Sequence, residues 1–259
     1  MKIATFNING IKARIEALPR WLKEADPDVV VLQEIKSQDE AFPRAVIEDL
    51  GYNLETHGQK SFNGVAILSK YPLEDVTRGL PGDDEDLQAR WIEATVLGPQ
   101  VLRVCGLYLP NGNPAPGPKY DYKLAWMARM EARVKVLLAR EEPVLFLGDY
   151  NVIPQAIDAA KPEAWVDDAL FLPQTREAFR RLLNLGLTEA IRAEDQSAGV
   201  YTFWDYQANS WERGNGIRID HVLMSPEAAD LLVETGIDKM VRAGDKPSDH
   251  VPVWVRLAA

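Results

Sequence analysis

The chain has 259 residues, 46% hydrophobic and 26% charged, an ordinary globular balance. A chain of that length buries roughly three quarters of its unfolded surface, so its core needs no staples. The net charge of −10, from 29 lysines and arginines against 39 aspartates and glutamates, argues by itself against a protein that grips nucleic acid by bulk electrostatics. The lone Cys105 excludes an intramolecular disulfide and reads as a small buried hydrophobe. No run reaches the length of a membrane span and the N-terminus lacks a signal-like apolar stretch, so the expectation is a cytoplasmic protein.

In chain order, the pattern predicts a strand over residues 2–8 and a helix over 11–24, where Ile11, Ile15, Leu18 and Leu22 recur at helical spacing. Short apolar runs bounded by turn residues then predict strands over 28–34, 53–57, 64–69, 89–97 and 102–109. The Pro- and Gly-rich stretch 110–118 is a loop by its turn chemistry. A helix follows over 119–140, with Trp126, Met130, Val134 and Leu137 on one stripe. Next come a strand over 144–147, a helix over 174–185, strands over 202–203 and 219–225, a helix over 226–233, and strands over 236–241 and 251–257. Runs such as Val29-Val30-Val31-Leu32 and Val144-Leu145-Phe146-Leu147 are apolar throughout, which suits strands covered on both faces. No linker or repeat interrupts the chain, so one domain over 1–259 is expected, built of two sheets face to face with helices outside.

Six strands end or begin in polar chemistry. Asn7 and Asn9 end the first, Glu34 the second, Tyr108 and Asn111 another, and Asp149 and Asn151 the run Leu147-Gly148-Asp149-Tyr150-Asn151. Asp220 interrupts Arg218-Ile219-Asp220-His221, and Ser248-Asp249-His250 precede the last strand. Singly, each has a plain explanation, because Asn, Asp and Gly at strand ends usually only make turns. Jointly, if the ends converge, they form one polar pocket on a rigid scaffold. Glu34, Asp149 and Asp249 would supply hard oxygen ligands, which select Mg²⁺ or Mn²⁺; three histidines and one cysteine do not make a zinc site. Asn7, Asn151, Tyr108 and a protonated His250 would donate hydrogen bonds to a phosphoryl transition state. Asp149 would orient or deprotonate a water, and Asp220 would orient His250 and raise its pKa. The inventory matches metal-assisted phosphodiester hydrolysis.

As a set, Asn7-Ile8-Asn9-Gly10, Leu32-Gln33-Glu34, Tyr108-Leu109-Pro110-Asn111, Gly148-Asp149-Tyr150-Asn151, Arg218-Ile219-Asp220 and Ser248-Asp249-His250 resemble the exonuclease III/AP endonuclease family, in its order and over nearly the whole chain. The resemblance implies a four-layered α/β sandwich, two packed mixed β-sheets flanked by helices, with the site at one edge. It implies a magnesium site drawn from Asn7, Glu34, Asp149, Asn151, Asp249 and His250, and catalytic roles for Tyr108, Asp149, Asn151, Asp220 and His250.

The resemblance also implies the substrate: double-stranded DNA, cut 5′ to abasic sites or trimmed at 3′ ends, by a monomer. Phe203 and Ile217 match the walls of the abasic-sugar pocket, whereas Trp204 reads as core. Asn9, Lys36 and Lys119 are expected on the DNA side, the stretch 151–158 resembles the family's DNA-binding segment, and Lys123 and Arg129 are compatible with phosphate contacts or with a solvated face. The acidic run Asp83-Asp84-Glu85-Asp86 is expected away from the groove. Two alternatives stand beside this reading: a superfamily phosphoesterase acting on RNA or a phosphorylated small molecule, and an inactive nucleic-acid-binding relative. The second predicts missing ligands, which this sequence does not show.

Overall fold

The computed structural model describes residues 1–258. The chain opens with β1 (Lys2–Asn7), α1 (Ala17–Ala25), β2 (Val29–Gln33), α2 (Arg44–Glu48), β3 (Asn53–His57) and β4 (Val65–Ser69). It continues through β5 (Leu73–Arg78), β6 (Trp91–Leu97), β7 (Val101–Tyr108), α3 (Pro118–Leu138) and β8 (Val144–Asp149). The last part holds α4 (Pro173–Asn184), β9 (Thr188–Glu189), α5 (Ala190–Glu194), β10 (Asp220–Met224), α6 (Pro226–Ala229), β11 (Leu232–Ile237) and β12 (Val253–Leu257).

The strands form two six-stranded mixed sheets, ordered β11-β12-β1-β2-β4-β3 and β5-β6-β7-β8-β10-β9. Each contains one parallel pair, β1 with β2 and β7 with β8; the other neighbours are antiparallel. One side of each sheet meets the other in a shared core, with Ile3, Val29, Val31 and Ile67 facing Ile92, Val104, Leu145 and Val222. The alternate residues Phe6, Val30 and Leu32 pack under Leu18, Trp21 and Leu22 of α1. On the opposite outer face, Trp91, Cys105 and Phe146 pack under Trp126 and Met130 of α3 and Phe179 of α4. Both faces of the central strands are therefore dry, which is why their sequences are apolar without alternation. The four layers are helix, sheet, sheet, helix. The sheets approach closely at Gly106, where any side chain would collide with Val31.

Several boundaries differ from the sequence reading. The helix over 11–24 divides into a 3₁₀ turn, Ile11–Arg14, and α1, which starts at Ala17. Pro19 lacks an N–H and crowds the residue four before it, so it is tolerated only in a first turn. Residues 202–203 form no strand, only isolated bridges from Phe203 to Ile217 and His250. The helix over 226–233 stops at Ala229 and the following strand begins at Leu232, because β11 pairs along β12 from Leu232↔Leu257 to Ile237↔Val253. β5 was not foreseen: its sequence Leu-Glu-Asp-Val-Thr-Arg is largely exposed at a sheet edge, and a polar strand leaves no apolar pattern.

A buried ionic network anchors the segment after β8 to β10. Arg218 donates from Nε to Asp158 at 2.8 Å and lies 2.9 Å from Glu189; Arg192 also donates to Asp158, at 2.6 Å. Burial alone would raise the Glu189 carboxyl, but the Arg218 charge and His221 pull it down to about 2. Its contribution to stability is complete above the ordinary value of 4.5 and is lost as pH falls toward 2. Arg218→Met, which strands the buried Glu189 carboxylate and leaves Asp158 with Arg192 alone, is expected to cost about 3–5 kcal/mol in urea unfolding at neutral pH. That cost should shrink as pH drops through the 4.5-to-2 window.

Candidate active site

Topology brings the polar residues together. The parallel pairs place the C-terminal ends of β1 and β2, and of β7 and β8, side by side within each sheet. β10 and β12 run antiparallel to β8 and β1, so they reach the same edge with their N-terminal ends. Register then sets Tyr108 and Asp220 beside Asp149, from opposite sides. Gly148 is required just before Asp149, because a side chain there would strike the Leu107 carbonyl.

Asn7 spans the seam between the sheets. Its Nδ2 donates to Glu34 Oε1 at 3.0 Å and to Asp149 Oδ2 at 2.9 Å, while its Oδ1 accepts the Asn9 amide. Asp149 is 2% exposed, and its Oδ1 accepts the Asn151 amide at 2.9 Å. His250 Nδ1 donates to Asp220 Oδ2 at 2.8 Å, and its Nε2 points to Asp149 Oδ2 at 3.6 Å. Thr202 fixes Asp220 in turn, donating from Oγ1 at 2.7 Å. Asn9, Glu34, Lys36 and Asn151 all have left-handed backbones, with φ from 46° to 50°. Such strain costs on the order of 1–3 kcal/mol per residue and clusters where side chains must be aimed.

The charges are balanced without bulk water. Burial and the neighbouring Asp220 charge hold the Asp149 carboxyl at about 7, against the pull of His250. Burial would lower the His250 imidazole, but Asp220 and Asp149 lift it to about 10, so the ring is an imidazolium at neutral pH. Burial would also raise Glu34; the Asn7 hydrogen bond and the Lys36 and His250 charges bring it below the ordinary range. Burial, with Glu34 and Asp149 beside it, pushes the Tyr108 phenol far up, so it stays neutral and able to donate.

Among the described residues, Glu34, Asp149 and His250 present a set of ligand-type atoms within 4.8 Å of one another. The carboxylates suit a hard cation; the protonated His250 ring offers N–H rather than a lone pair. Asp249 stands outside that group and accepts from Asn9 Nδ2 at 3.0 Å. Lys36 pairs with Glu34 at 3.0 Å and also donates to Asn9 Oδ1. Lys119 is exposed in the first turn of α3. Phe203 lies edge-on to the His250 ring at 4.9 Å, and with Ile217, Gly216 and Trp165 it lines a cavity of about 340 Å³. Trp204 is buried.

Three DNA-facing expectations fail. Lys123 is fully buried rather than exposed to phosphates. Arg129 pairs with Asp86 and Asp83, so the acidic run is neutralised by that arginine instead of leaving it free. Asp158 is buried in the ionic network. Sequence reasoning did not assign roles to Thr202 or Ser248, whose Oγ donates to the Asn7 carbonyl at 2.7 Å. A hydroxyl residue next to a motif is too common to signal such a bond.

Asp220→Asn removes the main charge that keeps His250 protonated. In metal-free protein followed by NMR, the His250 ring is expected to titrate well below the value of about 10 that it has with Asp220 in place.

Residues 4–250 match the model of the Endonuclease/Exonuclease/phosphatase family. Exodeoxyribonuclease III of Haemophilus influenzae is 37% identical, the match covering 98% of each chain. Two structures of NExo from Neisseria superpose over the full length of both chains with a TM-score of 0.96 at 37% identity. One is described as a 3′-5′ exonuclease, the other as a 3′ phosphatase bound to a product DNA hairpin. An AP endonuclease from Archaeoglobus fulgidus superposes, again over both full chains, with a TM-score of 0.93 at 34% identity. With the polar strand ends gathered at one edge and likeness over the whole length, this chain belongs to the endonuclease/exonuclease/phosphatase family, in its exonuclease III/AP endonuclease group.

Proposed function

We propose that the chain is a magnesium-dependent DNA-repair phosphodiesterase that cuts the backbone 5′ to abasic sites and trims 3′ ends. The observation that carries this reading is the seam itself: Asn7 bridging Glu34 and Asp149, with the His250 imidazolium on the far side of Asp149. The relatives named exodeoxyribonuclease III, 3′ phosphatase and AP endonuclease support DNA as the substrate. Every group the reaction needs comes from one chain, which supports a monomer.

The donor set fits magnesium, or manganese as a substitute: Glu34 and Asp149 offer carboxylate oxygens, Asn7 orients both from its Nδ2, and Asp249 lies one residue away through Asn9. When bound, the ion would supply Lewis-acid polarisation of a phosphoryl oxygen. Asp149 takes a proton from the attacking water or gives one to the leaving oxygen. The His250 imidazolium and the neutral Tyr108 phenol donate to phosphate oxygens as charge builds there. Asp220 keeps the imidazole charged and fixes its orientation. The Asn151 carboxamide orients the water or phosphate. The cavity under Phe203 and Ile217 takes the base-free sugar, and Asn9, Lys36 and Lys119 face the backbone.

The test is cleavage of an end-labelled duplex carrying one stable abasic-site analogue, beside an undamaged duplex. Incision at the lesion is expected with Mg²⁺ and is expected to stop in EDTA; no incision by a preparation that binds Mg²⁺ would refute the reading. Asn151→Ala should slow incision about 10²–10³-fold, as the loss of a transition-state donor does. Phe203→Ala should slow incision about tenfold or more, with a smaller effect on trimming of an undamaged 3′ end.

A further inference from the structure

Lys123 breaks the pattern of its helix. The buried stripe of α3 runs Tyr120, Lys123, Trp126, Met127, Met130, Val134 and Leu137, and at its second position a lysine replaces an apolar side chain. Lys123 is 0% exposed. Burying an ammonium costs several kcal/mol unless hydrogen bonds and opposite charge offset it. A methionine would fill much the same volume without that cost, so packing alone does not account for the lysine.

Its partners are specific. Nζ donates to the main-chain oxygens of Asn151 at 2.6 Å and Asn111 at 3.0 Å. These residues follow β8 and β7, the parallel pair whose ends form one side of the seam. The left-handed backbone of Asn151, φ 47°, takes it out of the strand ladder. The Asn151 carboxamide is held from both ends: Nδ2 donates to the Leu109 carbonyl at 2.9 Å and Oδ1 accepts from Asn111 Nδ2 at 3.2 Å. Room for the lysine stem comes from Gly112, where a Cβ would lie 2.7 Å from Lys123 Cδ. One amino group thus grips the main chain of both residues whose carboxamides bond to each other.

We propose that Lys123 is a positioning residue for phosphodiester cleavage: from beneath the site it ties the carbonyls of Asn111 and Asn151 together and so fixes the Asn151 carboxamide against the phosphate. It touches no substrate, being sealed under the loop. The inference rests on the phosphodiesterase reading, in which Asn151 faces the reacting group. Without the Lys123 amino group, two buried carbonyls lose their donor and the two loops lose their common anchor.

The experiment is a double-mutant cycle on the abasic-analogue duplex with wild type, Lys123→Met, Asn151→Ala and the double variant, each checked by circular dichroism and thermal melting. Lys123→Met is expected to lower kcat about 10–100-fold, the scale of a small misplacement of a reacting group, with KM within about threefold. The double variant is expected to be no slower than Asn151→Ala alone, because the lysine then has no carboxamide to orient. Should Lys123→Met fail to fold, Lys123→Gln enters the same cycle and is read in the same way. Wild-type kcat in the lysine variant, or effects that multiply in the double variant, would overturn the proposal. If wild type itself does not cut, the phosphodiesterase reading falls; an active wild type matched by Lys123→Met removes only this inference.

Discussion

Asp149 lies where the ends of the two sheets meet, nearly without access to water, between Glu34 on one side and Asp220 on the other. Three carboxylates in such a space repel, and a low-dielectric interior magnifies the repulsion. The fold answers with the His250 imidazolium and the donors of Asn7, and Asp149 itself is left close to neutrality in its proton affinity. The rest of the site follows from this balance. A group that exchanges protons near pH 7 is suited to general acid–base work, and an imidazolium beside it is suited to a phosphate.

Holding these charges in place requires a rigid frame. Each central strand is packed on both faces, against the opposite sheet and against a helix, so the strand ends have little freedom. The residues just past the strands turn sharply: Asn9, Glu34 and Asn151 take left-handed backbones that a relaxed loop would avoid. The surrounding packing offsets that strain, while hydroxyls from Thr202 and Ser248 tie the loops to one another. Lys123 belongs to the same support, acting from the helix layer on two of the turning segments.

The net charge of −10 does not measure the field that a polyanionic substrate meets at the site. Acids and arginines are committed to each other away from it. Asp158 and Glu189 are buried against Arg192 and Arg218, Glu93 is buried against Arg103 and Arg133, and Asp86 pairs with Arg129. Net charge sums over groups that a substrate never meets, and local fields at the site decide what approaches.

The sequence by itself determined the layers and the chemistry. Continuous apolar strands announced sheets covered on both sides, and polar residues at the ends of six strands announced a common site, because those patterns answer to local periodicity and side-chain type. The exposed edge strand β5, the short α6 and the bridges at Phe203 were not legible, since their state is set by partners distant in the chain. Only the tertiary structure decided which charges face the site and which are consumed inside. Lys123 reads as a surface group in sequence, and a lysine's partners depend on whether the helix face carrying it is covered. The proton affinities of Asp149 and His250 were likewise decided in three dimensions, because they follow from burial and from distances of 2.8 to 3.6 Å between residues that the chain separates widely.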